Sequence, residues 1–208
     1  MKKKIAILGS TGSIGKSTID ILRKDKKNFD VVLLTTNNNY REILKQAKEF
    51  KARNIIINNK KHFLTSKKKL RNNKINIFNN FQSFNNKFKS KIDFSMSAIS
   101  GLEGLKPTLD LIKFSKTIAI ANKESIICAW NLIQQRLNKY KTKFIPVDSE
   151  HFSIWSLLDG NSSNSVEEVI ITASGGPFLK LSLNKFKKIK PQIAVNHPIF
   201  LFGWITAI

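Results

Sequence analysis

Cysteine is almost absent from this sequence of 208 residues, in which Cys128 is the single example. One cysteine excludes a disulfide framework within the chain and a metal site built from several cysteines. No apolar run approaches the roughly 18–20 residues that a helix needs to span a bilayer, which excludes an integral membrane protein. The apolar run Ile5–Leu8 is too short for the core of a signal peptide. We therefore expect a cytoplasmic enzyme or binding protein.

Acidic residues are also scarce. The sequence has 14 Asp and Glu and 36 Lys and Arg, which gives a formal net charge of +22. Such a charge is typical of nucleic-acid-binding proteins. Only 5 of the basic residues are arginine, however, and phosphate and base recognition favours arginine. Lys, Asn, Ile and Phe all have A/T-rich codons, so a biased base composition also explains the charge. We favour that explanation, which makes a nucleic-acid partner unlikely, and keep a basic nucleic-acid-binding module as an alternative.

Short apolar runs alternate with segments of helical periodicity along most of the chain. The predicted strands are Ile5–Leu8, Phe29–Thr35, Asn54–Asn58, Asp93–Ile99, Thr117–Ala121 and Phe144–Val147. The predicted helices between them include Ser17–Lys24, 41–52 and Ser125–Leu137. This alternation predicts an α/β fold with a Rossmann-like, doubly wound parallel sheet.

Two further patterns concern the organisation of the chain. Phe78, Phe81, Phe84 and Phe88 have spacings that predict the buried stripe of one helix.

The alternation of strands and helices changes after Asp148, so we expect a first domain over 1–148. The start of an incomplete α+β catalytic domain is expected over 149–208, with a strand at Val166–Thr172.

Three glycines, Gly9, Gly12 and Gly15, separate the first strand from the first helix. Glycines at such a turn let backbone N–H groups approach a phosphate, although a tight structural turn is the alternative. The spacing is GxxGxxG and not the usual dinucleotide fingerprint GxGxxG. Residues 37–39 after the second strand are all Asn, with Arg41 nearby, where an NAD site usually has Asp or Glu. The sequence therefore favours NADP.

A second interpretation of the same turn is a nucleoside triphosphate site. Gly15-Lys16-Ser17 matches the end of a P-loop, GxxxxGK[ST]. The first glycine of that motif would fall at residue 10, which is Ser. A P-loop-like NTPase remains an alternative function at this point.

Asp148 and Glu150 are separated by a single residue after the last predicted strand of the sheet. In an extended segment, side chains at i and i+2 point to the same side, so both carboxylates could bind one cation. Oxygen ligands suit Mg²⁺ or Mn²⁺ and not zinc. Two ordinary surface carboxylates are the alternative.

The segment Ala121–Ser125 follows another predicted strand, at the sheet edge where ligands bind in open α/β folds. Lys123 could hold a substrate oxygen or phosphate, while Asn122 and Glu124 could contact a cofactor. A helix N-cap with a glutamate in the first turn explains the same residues. Ser174 begins a Ser-Gly-Gly sequence that fits a small-anion loop or a plain turn.

Several of these strings occur in one order along the chain: Leu8–Gly15, Ala121–Ser125, Ile145–His151, Thr172–Phe178 and His197-Pro198. Together they closely resemble the 1-deoxy-D-xylulose 5-phosphate reductoisomerase family. The resemblance implies a homodimeric NADP-dependent oxidoreductase of non-mevalonate isoprenoid biosynthesis. It implies rearrangement and reduction of 1-deoxy-D-xylulose 5-phosphate, a phosphorylated sugar, to 2-C-methyl-D-erythritol 4-phosphate.

The resemblance also implies roles for individual residues. Positions implied to contact NADPH are Thr11, Gly12, Ser13, Ile14, Asn37, Asn38, Asn39, Asn122, Glu124 and Gly203. Asp148 and Glu150 would bind the divalent cation, and Lys123 and Glu150 would be catalytic. Residues implied to contact the substrate are Lys123, Ser149, Glu150, Ser174 and His197.

The chain departs from the family pattern in its last residues. Ile199-Phe200 stands where the family has Asn-Trp, whose tryptophan lies on a flap that closes over the substrate. The family's third metal-binding carboxylate lies further on, in a longer chain. We therefore expect a fragment or a frameshifted product that binds NADPH weakly and turns over substrate negligibly.

Overall fold

A computed structural model describes residues 1–70, 75–158, 166–170, 178 and 180–190 of the chain. The chain divides into two compact units, Met1–Gly160 and Asn161–Ile208. Among the described residues, the second unit contains one short 3-10 helix, Leu183–Lys188. The sheet and the α-helices below all belong to the first unit.

The first unit is built around one sheet of seven parallel strands in the order β4-β3-β2-β1-β5-β6-β7. The strands are β1 (Lys3–Leu8), β2 (Phe29–Thr36), β3 (Asn54–Ile57), β4 (Asn76–Phe78), β5 (Ile92–Ser97), β6 (Ser115–Ile120) and β7 (Lys143–Pro146). Strand β1 lies between β2 and β5, which is the point where the strand order reverses. The predicted Rossmann-like, doubly wound sheet is confirmed.

Helices cover both faces of this sheet, because its strands are apolar on both sides. They are α1 (Ser13–Lys24), α2 (Tyr40–Glu49), α3 (Lys60–Lys69), α4 (Phe81–Lys87), α5 (Leu105–Ile112), α6 (Lys123–Tyr140) and α7 (Ser149–Leu158). Ile5 and Ile7 of β1 pack on one face against α1 and α2, while Ala6 and Leu8 face the opposite core with Phe84 and Leu111. No helix among the described residues is long and apolar enough to span a membrane.

The phenylalanine stripe is divided between two elements. Phe81 and Phe84 lie in α4, but Phe78 lies in β4, so the prediction of one helix through all four residues is wrong. Strand β4 has three residues and is too short to show an alternating pattern. Its backbone is held by parallel pairing with β3, which brings Phe78 into edge contact with Phe84.

The second corrected element is the predicted strand Val166–Thr172. Residues 166–170 have no regular structure, and the last two residues of the prediction lie outside the described part of the chain. An apolar run forms a strand only where a neighbour accepts its backbone hydrogen bonds. None of the described residues pairs with 166–170 in that way.

The glycine turn, residues 9–12, joins β1 to α1 by a very close approach of backbone segments. Gly9 has φ +74°, and a Cβ there would lie 2.7 Å from the Ala98 carbonyl oxygen. A Cβ on Gly15 would lie 2.1 Å from the Gly9 carbonyl oxygen. Both positions therefore need glycine for packing within the protein. A Cβ on Gly12 would meet only the Gly9 oxygen, at 3.4 Å, and the Ala98 oxygen, at 4.0 Å.

These distances predict different effects of one added methyl group. Gly15→Ala should lower the free energy of unfolding by about 1–3 kcal/mol, because the turn and α1 must move apart. Gly12→Ala is the matched control and should unfold within about 0.5 kcal/mol of the parent protein. Urea denaturation followed by circular dichroism measures both. Equal stability of the two variants would contradict the close packing at Gly15.

Candidate functional site

A cleft opens at the carboxyl edge of the sheet, around the loops that follow β1, β2, β5, β6 and β7. One part of it, the turn lobe, has a volume of about 180 Å³ and is lined by residues that include Gly9, Thr11, Gly12 and Asn37. The other part, the acidic lobe, has a volume of about 370 Å³ and its lining includes Ile14, Lys123, Asp148 and Glu150. Ala98, Ile99 and Ser100 line both lobes, so the two lobes adjoin.

The N-terminus of α1 faces this cleft without a side-chain cap. Four other helices of the described chain each have an asparagine whose side chain accepts the hydrogen bond of a first-turn N–H: Asn39, Asn59, Asn80 and Asn122. At α1 the capping position is Gly12, which has no side chain. The first-turn N–H groups of α1 have no partners within the helix, and they carry the positive end of its dipole. Such a terminus can bind a phosphate.

Gly12 combines an open position with direct access to the turn lobe. Because no close packing requires a glycine there, its missing side chain leaves room for a ligand to approach the backbone. Thr11 beside it is fixed by a hydroxyl contact of 2.7 Å with Thr36 at the end of β2. The predicted positions Ser13 and Ile14 are the first two residues of α1, and both are exposed.

The three asparagines after β2 lie next to the turn lobe and are exposed. The Asn38 side-chain oxygen accepts a hydrogen bond of 3.0 Å from Asn59, and the Asn39 oxygen caps α2 by accepting from the Glu42 N–H. Asn37 lines the lobe directly. Arg41 is exposed in the first turn of α2. The preference for NADP over NAD stays a prediction from these residue types.

Asn122 is buried, and its side chain is engaged within the protein. Its amide donates to the Ile99 and Gly101 carbonyl oxygens, and its oxygen accepts from the Ser125 N–H at 2.8 Å. The side chain thus ties the loop after β5 to the start of α6. This is the N-cap role that the sequence left as an alternative, so any coenzyme contact at this residue would use its backbone.

Asp148 and Glu150 line the acidic lobe together, but their local geometry differs from the prediction. The segment is not extended, because α7 begins at Ser149 and places Glu150 in its first turn. Asp148 precedes the helix, and its Oδ1 accepts the His151 N–H at 3.1 Å. The prediction that Asp148 and Glu150 lie on the same side of an extended segment is therefore wrong. The two carboxylates share the lobe because a capping aspartate and a first-turn glutamate both lie at the start of one helix.

Hydrogen bonds hold both carboxyl groups in their ionised form. Burial is the largest single effect on the pKa of Asp148 and raises it. The hydrogen bonds from the His151 ring and the His151 backbone N–H together outweigh burial, so the pKa of Asp148 is lowered. The pKa of Glu150 is lowered chiefly by its own backbone N–H and then by the Ser149 hydroxyl, which donates to Oε2 at 2.9 Å. Lys123 lowers the pKa of Glu150 as well.

This donor set fits a hard divalent cation in part. Both acidic side chains offer oxygen to the lobe, and neither Asp148 contact with His151 uses Oδ2. Within the described residues, no group of three or more His, Cys, Asp or Glu could hold a metal ion. By themselves, the two carboxylates would supply only some of the ligands that a Mg²⁺ or Mn²⁺ ion needs.

The remaining predicted residues divide into two groups. Lys123, Glu124 and Ser149 line the acidic lobe, and their roles toward substrate and coenzyme stay predictions. Ser174, His197 and Gly203 lie outside the described residues, and their roles stay predictions.

Sequence reasoning missed the segment Ala98–Ser100, which lines both lobes. The signal was its place at the carboxyl end of the predicted strand Asp93–Ile99. In a doubly wound sheet, the strand that pairs with β1 across the reversal must end beside the glycine turn. The Ala98 N–H donates to the Leu8 carbonyl oxygen at 3.0 Å, which holds the two chain segments together.

An open parallel sheet with a ligand cleft at the reversal of strand order defines the Rossmann-like nucleotide-binding class of proteins. Residues 5–130 match the sequence model of the family described as 1-deoxy-D-xylulose 5-phosphate reductoisomerase. Residues 144–208 match the model of the C-terminal domain of the same family. The chain therefore belongs to the 1-deoxy-D-xylulose 5-phosphate reductoisomerase family, and the resemblance of its motifs is confirmed.

Relatives and solved structures agree with this assignment. The reductoisomerase of Pelagibacter ubique is 59% identical over 203 residues, which are 97% of this chain and 52% of the relative. The reductoisomerase of the Wolbachia of Brugia malayi is 38% identical with the same coverage. The Zymomonas mobilis enzyme, solved in complex with NADPH, superposes with a TM-score of 0.80 at 34% identity over 95% of this chain and 52% of that one. A reductoisomerase structure with NADPH, fosmidomycin and magnesium superposes with a TM-score of 0.73 at 28% identity, over 95% of this chain and 52% of that one. The chain thus spans about half the length of the relatives it matches.

The bonds of Asn122 generate a prediction about stability. Asn122→Ala removes the α6 cap and leaves two loop carbonyl groups without a donor, so unfolding should become easier by about 2–4 kcal/mol. Asn80→Ala removes an exposed cap alone and should cost about 1 kcal/mol. Parallel denaturation curves give both values. A loss at Asn122 no larger than the loss at Asn80 would mean that the tie to the β5 loop contributes nothing.

Proposed function

We propose that this chain forms the coenzyme-binding domain and part of the metal site of a 1-deoxy-D-xylulose 5-phosphate reductoisomerase. The activity would be the NADPH-dependent rearrangement and reduction of that sugar phosphate to 2-C-methyl-D-erythritol 4-phosphate. The observation that carries the proposal is the adjacency of the turn lobe and the acidic lobe in one cleft. A phosphate-binding turn and two ionised carboxylates would thus lie beside the same substrate.

The coenzyme would be held by the glycine turn and by the residues after β2. The backbone N–H groups of Thr11, Ser13 and Ile14 would bind its pyrophosphate, whereas the Gly12 N–H donates to the Gly9 carbonyl oxygen within the turn. The missing side chain of Gly12 would allow the close approach. Arg41, next to a loop without carboxylates, would pair with the additional phosphate that distinguishes NADP from NAD. NADPH supplies a hydride when bound, and the protein aims it at the substrate.

In the acidic lobe, Asp148 and Glu150 would hold a divalent cation, with further ligands from elsewhere. A bound Mg²⁺ or Mn²⁺ would polarise the carbonyl of the substrate. Lys123, at the start of α6, places its ammonium group in the same lobe, where it would stabilise negative charge that develops on a substrate oxygen. Ser149 orients the Glu150 carboxylate through their hydrogen bond.

Two further properties complete the proposal. The family resemblance implies a homodimer, and we include that oligomeric state. A location in the cytoplasm agrees with the single free cysteine, Cys128.

The direct test is a calorimetric titration of this chain with NADPH, with NADH and with ATP. NADPH should bind more tightly than NADH, and ATP should bind much more weakly than either coenzyme. Arg41→Met should reduce the ratio of the NADPH and NADH affinities by about tenfold, because a charge-assisted hydrogen bond is lost. Arg53→Met is the matched control, since Arg53 pairs with Asp30 near the opposite edge of the sheet.

Each alternative function has its own result in this titration. Preferential binding of ATP would favour the P-loop interpretation, although α1 begins at Ser13 and so places Lys16 and Ser17 inside the helix. Binding of random-sequence DNA that weakens steeply with salt, together with no coenzyme binding, would favour the nucleic-acid module.

A further inference from the structure

A buried glutamine lies below the glycine turn and has no role in the function proposed so far. Gln46, on α2, is 1% exposed, and its Nε2 donates a hydrogen bond of 3.1 Å to the Ser10 carbonyl oxygen. Ser10 is the second residue of the glycine turn and is fully buried. The bond joins residues 36 positions apart in the sequence. It links α2 to the turn directly.

The orientation of the Gln46 amide is determined by its neighbours. Its Nε2 lies between the Ser10 carbonyl oxygen and the Glu42 carboxylate, at 3.1 and 3.3 Å, and both of these groups only accept hydrogen bonds. Its own oxygen, Oε1, is buried without a hydrogen-bond partner among the described residues. A methionine would cover the core equally well and would remove the unpaired Oε1, but it would leave the buried Ser10 carbonyl without this donor. What glutamine adds at this position is the bond to Ser10.

That bond determines the direction of a neighbouring N–H group. In a trans peptide, the carbonyl of one residue and the N–H of the next point in opposite directions. The described residues contain no cis peptide, so a Ser10 carbonyl held toward Gln46 turns the Thr11 N–H away from the interior. Thr11 and Gly12 line the turn lobe on that side. The Ser10 N–H belongs to the preceding peptide unit and donates to the Thr35 carbonyl oxygen at 3.0 Å, so the backbone of Ser10 is held on both sides of its Cα.

We propose that Gln46 is a positioning residue for coenzyme binding, which aims the Thr11 N–H at the coenzyme pyrophosphate by holding the Ser10 carbonyl. The inference rests on the proposed NADPH function. It concerns the phosphate-binding turn and not the residues that distinguish NADP from NAD. Loss of the Gln46 bond should therefore weaken the binding of NADPH and the binding of NADH by the same factor.

The test compares three variants by calorimetric titration with NADPH and NADH. Gln46→Met and Gln46→Leu should each raise the Kd of both coenzymes about tenfold, with an unchanged ratio of the two Kd values. Tm should change little, because removal of the unpaired Oε1 offsets the loss of the bond to Ser10. Ile43→Val is the matched control, because Ile43 is a fully buried residue on the same helix that makes no bond to the turn. It should lower Tm and leave both Kd values unchanged.

The outcomes separate this inference from the function on which it rests. If the parent chain binds NADPH and the Gln46→Met and Gln46→Leu variants bind it equally well, Gln46 is an ordinary core residue and the inference is wrong. A changed NADPH to NADH ratio in those variants would also overturn it, because the effect would then come from the loop after β2. If the parent chain binds neither coenzyme, the proposed function fails and the inference fails with it.

Discussion

The close contact between the glycine turn and the loop after β5 is the constraint on which the site depends. Without side chains at Gly9 and Gly15, the chain leaves β1, passes against the Ala98 carbonyl and enters α1 in very little space. This contact brings the uncapped terminus of α1 to the reversal of strand order, where β1 lies between β2 and β5. A side chain at Gly9 would separate those segments and displace the N–H groups from the cleft.

The second half of the cleft depends on the ends of two helices. Helix α6 begins at Lys123 and α7 begins at Ser149, each directly after a strand of the same sheet. Cationic and anionic side chains therefore meet in one lobe, where hydrogen bonds and the Lys123 charge lower the pKa of Glu150. A pair of ionised carboxylates beside a lysine suits a cation and a polarised oxygen better than it suits a nucleic acid.

Much of the fold was predictable because buried parallel strands are often continuous apolar runs, as at Ile55–Ile57, and six of the seven strands were predicted, most of them from such runs. Strand β4 escaped because three residues show no period, and pairing with β3 defines it. The residue types of the site were predictable, yet their arrangement was not. A D-x-E string does not reveal whether it lies in a strand or at the start of a helix, and the bond from Gln46 to Ser10 depends on tertiary packing.

A crystal structure of this chain grown with NADPH would show whether the glycine turn binds the coenzyme. The pyrophosphate should lie over the start of α1, with its oxygens within hydrogen-bond distance, about 2.7–3.2 Å, of the backbone N–H groups of Thr11, Ser13 or Ile14. The nicotinamide should lie toward the lobe that contains Asp148 and Glu150. A coenzyme bound elsewhere, or bound with its pyrophosphate away from the glycine turn, would show that the turn is a structural feature and not the coenzyme site.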